Sequence, residues 1–105
     1  MEQPNLDYIN ELAAGDELFV NKLLKVIKEE LPQEVDLYKK NYNSSAFAKA
    51  AENVHKLKHK LGILGLVEGY ETAMAYEEEL KEGRNTLKNQ FEAILKDCNR
   101  FINQL

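Results

Sequence analysis

The chain has one cysteine, no tryptophan, two prolines and five glycines in 105 residues. A lone cysteine cannot form an internal disulfide, so Cys98, at an apolar helical position, reads as core filler in a reducing compartment. So few prolines and glycines leave little punctuation for a loop-rich or all-β fold, and helices are favoured. An excess of basic charge is also missing. The 14 Lys and Arg against 18 Asp and Glu give a net charge of -4, which argues against sequence-independent nucleic-acid binding, since that depends on phosphate neutralisation. No apolar run approaches the ~18 residues of a membrane span, and Met1-Glu2-Gln3-Pro4 offers neither a basic start nor an apolar stretch. The expectation is a soluble, cytoplasmic, single domain over residues 1–105, free-standing as its initial Met suggests, with no membrane or nucleic-acid partner.

What is present is helical periodicity. Asn5 can cap a short first helix whose apolar face is Leu6, Ile9 and Leu12 or Ala13, with Gly15 as its stop. Asp16 can cap a second, in which Phe19/Val20, Leu23/Leu24, Ile27, Leu31, Val35, Tyr38 and Tyr42 recur every three or four residues. Pro32 interrupts that pattern and predicts a kink near Glu30-Leu31 or a split into two helices. Ser44 or Ser45 is placed to cap a third helix through Phe47, Ala50, Val54, Leu57, Leu61 and Leu64. A fourth follows Gly65 with Leu66, Tyr70, Ala73/Met74 and Leu80, carrying Glu77-Glu78-Glu79 on its outer side and ending at Gly83. Asn85 can cap a fifth with the stripe Leu87, Phe91, Ile94/Leu95, Cys98, Phe101/Ile102 and Leu105. The fold class expected is all-α: an antiparallel four-helix bundle with a short additional N-terminal helix, needing no second copy and so monomeric.

His55 decides the functional reading. At about 100° per residue, the apolar positions of the third helix centre roughly 125° from it, so its imidazole faces outward. Ala48, Ala51, Glu52, Lys58, His59 and Gly62 share its direction, and three of them are small, leaving the ring above a low surface that a partner can approach. Ile63 lies near the same side. Lys56, Lys58 and Lys60 make the stretch locally basic, but the angular count leaves Lys58 and His59 as neighbours for a charge on His55 and assigns Lys56 and Lys60 to a solvated face. An exposed imidazole ordinarily titrates near roughly 6.5, so at neutral pH much of it is a neutral nucleophile. Phosphoryl transfer asks chiefly for alignment and charge stabilisation, so one histidine on a rigid helix can take part if a partner supplies the metal and the acidic pocket.

The run Val54-His55-Lys56-Leu57-Lys58-His59-Lys60-Leu61-Gly62-Ile63-Leu64-Gly65 resembles the signature of histidine-containing phosphotransfer domains, His-x-Leu-Lys-Gly with a further Gly ten residues after the histidine. His55, Leu57, Lys58 and Gly65 match it. Gly15-Asp16, Glu30-Leu31-Pro32, the alanine-rich approach to His55 and Glu77-Glu78 resemble the family's layout. The resemblance implies a phosphorelay carrier of two-component signalling, phosphorylated on Nε2 of His55 by exchange with receiver-domain aspartates, with Lys58 steadying the phosphoryl charge. It implies no ATP binding, no hydrolysis and no cofactor of its own, Mg²⁺ being held by the receiver, with a sensor histidine kinase as a further partner. Ala48, Ala51, Glu52, His59, Gly62 and Ile63 are the expected docking residues. His59 stands where the family usually has glycine; either Gly62 provides the clearance or His59 contributes a hydrogen bond to the phosphoryl group.

Three other readings compete. Glu52-x-x-His55 and the His55/His59 pair have metal-ligand spacings, but a di-iron bundle needs a second Glu-x-x-His and none exists, so no metal site is expected. Gly62 and Gly65 also suit close packing or helix ends, the expectation adopted for Gly65. The rival from another class is a helical module that docks a receiver or kinase without taking the phosphoryl group; a receiver phosphatase is the third.

Overall fold

The computed structural model describes residues 2–105, and among these the chain is all-helical with no strand. Helices α1 (Asp7–Ala13), α2 (Glu17–Asn43), α3 (Phe47–Ile63), α4 (Val67–Lys81) and α5 (Lys88–Asn103) follow one another. Cross-helix pairs fix the directions. Asn41 bonds Asn53 while Lys60 pairs with Glu34, so α2 and α3 are antiparallel. His55 meets Glu77, and Gly62 lies against Tyr70, which sets α3 against α4. Tyr38 reaches Glu92, and Lys28 reaches the Leu105 carbonyl, closing α2 onto α5. Four helices form the bundle and α1 lies against α2.

The core follows the apolar stripes. Ile27, Leu31, Val35 and Tyr38 of α2 meet Val54, Leu57 and Leu61 of α3, Ala73, Tyr76 and Leu80 of α4, and Phe91, Leu95, Cys98 and Ile102 of α5. Each large aliphatic or aromatic side chain so buried contributes about 1.5–3 kcal/mol of hydrophobic stabilisation. On α1 it is Ala13 that turns inward, while Leu12 is exposed. The Cys98 thiol is buried as expected, and burial pushes its pKa up to about 12.

Several helix ends differ from expectation. Asp16 caps α2, its Oδ1 accepting the Phe19 N–H at 3.1 Å. Pro32 does not split α2, which runs unbroken through it. The ring is exposed, so the Lys28 carbonyl it leaves without a partner faces water, while buried Leu31 and Val35 hold the helix on both sides. Neither serine caps α3: Ser44 closes α2, Ser45 takes a left-handed turn and Ala46 occupies the cap position. Asn85 does not cap α5 but donates to the Tyr42 hydroxyl. That cap is supplied from α4, where the Glu79 carboxylate accepts the Leu87 N–H at 2.9 Å and the Thr86 hydroxyl.

Gly65 is a helix-end residue. Its φ of 79° lets the Leu66 N–H reach back to the Leu61 carbonyl and its own N–H to Gly62, closing α3 in a Schellman turn. A side chain there would also strike the Asn5 amide, whose backbone N–H bonds the Leu64 carbonyl. The N-terminal segment is thereby seated on the α3–α4 turn, and the rigid pairing of these two helices positions the residues around His55.

Candidate functional site

His55 stands at the middle of α3 with its side chain 51% exposed. Val54 and Leu57 on either side are fully buried, so helical phase alone turns the ring outward. Its Nδ1 lies 3.1 Å from both carboxylate oxygens of Glu77 on α4. A carboxylate only accepts, so Nδ1 carries a proton, and in the neutral ring Nε2, on the outward edge, keeps its lone pair.

Glu77, expected with Glu78 and Glu79 on the outer side of α4, turns inward instead. It is buried, as is Glu79; of the run Glu77-Glu78-Glu79 only Glu78 is exposed. Besides the imidazole, Glu77 takes the Lys58 ammonium at 3.4 Å and the Lys81 ammonium at 3.3 Å. Burial by itself would push its pKa up. The hydrogen bonds from His55 and Lys81 and the charge of Lys58 outweigh that and hold it below the usual carboxylate range. A detectable signal existed: Tyr70, Ala73, Glu77 and Leu80 recur at helical spacing, which puts Glu77 on the buried stripe.

Lys58 is likewise not free to reach outward. Its side chain is only 9% exposed, and its ammonium lies between Glu77 and the Tyr70 ring, 5.6 Å from the ring centroid. It is 3.4 Å from His55 Nδ1, but that nitrogen already donates to Glu77, so the contact is proximity rather than a bond. Lys58 therefore supports the imidazole from the Nδ1 side. Lys60, expected on a solvated face, instead binds Glu34 at 3.0 Å and Glu30 at 3.4 Å and ties α3 to α2. Lys56 is exposed.

The remaining expected docking residues divide. Ala48, Glu52 and His59 are exposed. Beside the ring lies an open depression lined by Ala48, Ala51, Glu52, Lys56, Glu77 and Lys81. Ala51 is its floor rather than a contact surface, being 1% exposed. Gly62 serves packing: a Cβ there would sit 3.3 Å from Tyr70 Cδ2, so the glycine admits the ring over which Lys58 lies. Ile63 is half-buried against the core, not a free apolar patch. His59 stacks edge-to-face on His55, ring centroids 5.0 Å apart and planes at 85°.

An outward imidazole, oriented by a buried carboxylate beneath and bordered by small residues, can accept and release an electrophilic group at Nε2. A family model described as the Hpt domain matches residues 22–104, most of the chain. The chain belongs to the Hpt domain family. Hpt domains are phosphotransfer carriers of phosphorelay signalling, acting with receiver domains and kinases, and are not ATP-hydrolysing enzymes. No curated protein and no solved structure matches this chain. The matched span of the Hpt domain takes in α3, α4 and α5 and all but the start of α2. No helix among the described residues is long and apolar enough to cross a membrane.

Proposed function

We propose that this Hpt domain takes a phosphoryl group on Nε2 of His55 from an aspartyl phosphate of a receiver domain, and returns it to a receiver aspartate. The observation that carries the reading is the Glu77 bond to Nδ1. It fixes the tautomer in which the nucleophilic lone pair sits on the exposed edge.

The Nε2 lone pair attacks phosphorus, the bond from phosphorus to the aspartyl oxygen breaks, and the aspartate leaves as a carboxylate. Nδ1 keeps its proton throughout, donating it to Glu77 in a hydrogen bond, so no proton must move for the transfer to occur. Loss of that hydrogen bond would let the ring rotate or adopt the other tautomer, in which Nε2 is protonated and inert. Lys58 and Lys81 hold Glu77 in place, and Lys58 adds positive charge beneath the ring as the phosphoryl dianion arrives. The Mg²⁺ that neutralises the transferring group belongs, in this proposal, to the receiver's acidic pocket. Ala48 and Glu52 border the approach, with the Ala51 floor keeping the surface low.

The test is incubation with a receiver domain labelled on its aspartate. The expected product is an acid-labile, base-stable label on the chain that His55→Gln abolishes. Complex formation without label would instead make the chain a docking module, and release of inorganic phosphate with no stable adduct would make it a receiver phosphatase.

A further inference from the structure

We propose that His59 is the phosphoryl-binding cation of this domain: it takes up a proton when His55 is phosphorylated and pairs as imidazolium with the phosphoryl oxygens. The inference rests on the reading of His55 as acceptor and adds the group that meets the cargo. Two observations lead to it. The lysine that the motif offers for this task is buried under the ring on the Nδ1 side, bound to Glu77 and facing Tyr70. Meanwhile an exposed imidazole one turn along stands against the His55 ring, at 5.0 Å between centroids, within reach of a phosphoryl group carried on that ring.

The charges around His59 decide when it is protonated. On α3 itself, Glu52 and Lys56 are exposed and of opposite sign. Helix α2 brings Glu30 and Glu34, which clasp Lys60, and α4 brings Glu77 and Lys81, which enclose Lys58 beneath His55. Lys58, Lys60 and Lys81 are each already engaged by carboxylates, Lys81 by Glu78 as well as Glu77. A phosphoryl dianion on His55 adds negative charge next to His59 and favours its charged form. His59 draws its proton from solvent, so the phosphorylated domain carries one proton more near neutral pH, and the ion pair between His59 and the phosphoryl oxygens is lost as pH rises.

Phosphoramidate separates this inference from the one beneath it, because it needs no partner protein. Its P–N bond breaks, ammonia leaves, and phosphorus bonds to Nε2. The carbon-bound imidazole protons of the full chain are then titrated by NMR with and without phosphoramidate treatment, His59→Gln providing the assignment. The expected result is a His59 midpoint higher by about one pH unit or more once His55 is phosphorylated, a tenfold gain in proton affinity. A midpoint that does not move while His55 carries phosphate overturns the role of His59 and leaves the carrier reading standing. Failure of His55 to accept phosphate at all overturns both.

A kinetic readout excludes a merely structural stack. Phosphohistidine is intrinsically longer-lived as pH rises, so the readout is the ratio of lifetimes in the native protein and in His59→Gln, which should fall severalfold across the His59 titration. The same pH step in both proteins would contradict the proposal.

Discussion

Glu77 and Glu79 sit two residues apart on α4, both buried and both with pKa held below the ordinary carboxylate range, yet they serve different ends of the molecule. The donors to Glu79 are the Thr86 hydroxyl and the Leu87 backbone N–H, with Arg84 at 3.9 Å, so its carboxylate is used up in starting α5. For Glu77 they are an imidazole and two ammoniums, and the imidazole presents its other edge to solvent. A buried carboxylate bound by backbone and hydroxyl donors is structural. One bound to a half-exposed titratable ring transmits order to a surface atom.

The sharpest way to break this contrast is to remove each carboxylate in turn. Glu77→Ala should slow phosphoryl transfer roughly 10- to 100-fold, by analogy with the loss of carboxylates that orient metal-ligating imidazoles. Glu79→Ala should lower the melting temperature by several degrees and leave the transfer rate per folded molecule unchanged. Parallel transfer kinetics and thermal unfolding check both; equal kinetic losses in the two variants would erase the distinction. Tyr38→Phe extends the structural side. The Tyr38 hydroxyl donates to Glu92 at 2.9 Å and so must accept from Tyr76 at 2.6 Å, and burial raises both phenol pKa values, Tyr76 to about 12. Breaking that buried chain should cost about 1–3 kcal/mol in denaturant unfolding, without a kinetic effect.

Acid should distinguish the carboxylates more finely. Both are depressed in the folded state, so the stability they contribute is complete above the ordinary carboxylate range and is lost as pH falls through that range to their folded values. Added salt should move Glu77 back toward the ordinary range, because half-exposed Lys81 is among its partners, and should move Glu79 less. Carboxyl NMR titrations at low and high ionic strength measure this. The smallest effect expected is that of Lys60→Ala, about 0.5 kcal/mol from a partly exposed ion-pair cluster, with transfer unchanged.

Much of this was legible in the residues themselves. The apolar stripes of α2, α3 and α5 define the core faces, and the phase of α3 alone turns His55 outward. The Asp16 cap and the Gly65 and Gly83 turns follow from local chemistry, the Gly83 and Arg84 N–H groups closing α4 onto the Leu80 and Glu79 carbonyls. What local patterns do not carry is the inward use of polar side chains. Glu79 replaces the expected Asn85 cap from another helix, while Glu77 and Lys58 are buried and Lys60 half-buried, with partners 19 and 26 residues distant in sequence. A run of glutamates looks solvated unless each is assigned its own helical phase. Likewise, the length of α2 depends on packing to either side of Pro32, a tertiary effect that overrides the local break.

The central claim is that Glu77 holds Nδ1 and leaves Nε2 to carry the phosphoryl group. It is tested most directly by nitrogen-15 and phosphorus-31 NMR on the phosphorylated chain, which identifies the ring nitrogen bonded to phosphorus. The account predicts phosphorus on Nε2 with a proton retained on Nδ1; phosphorus on Nδ1 would contradict it.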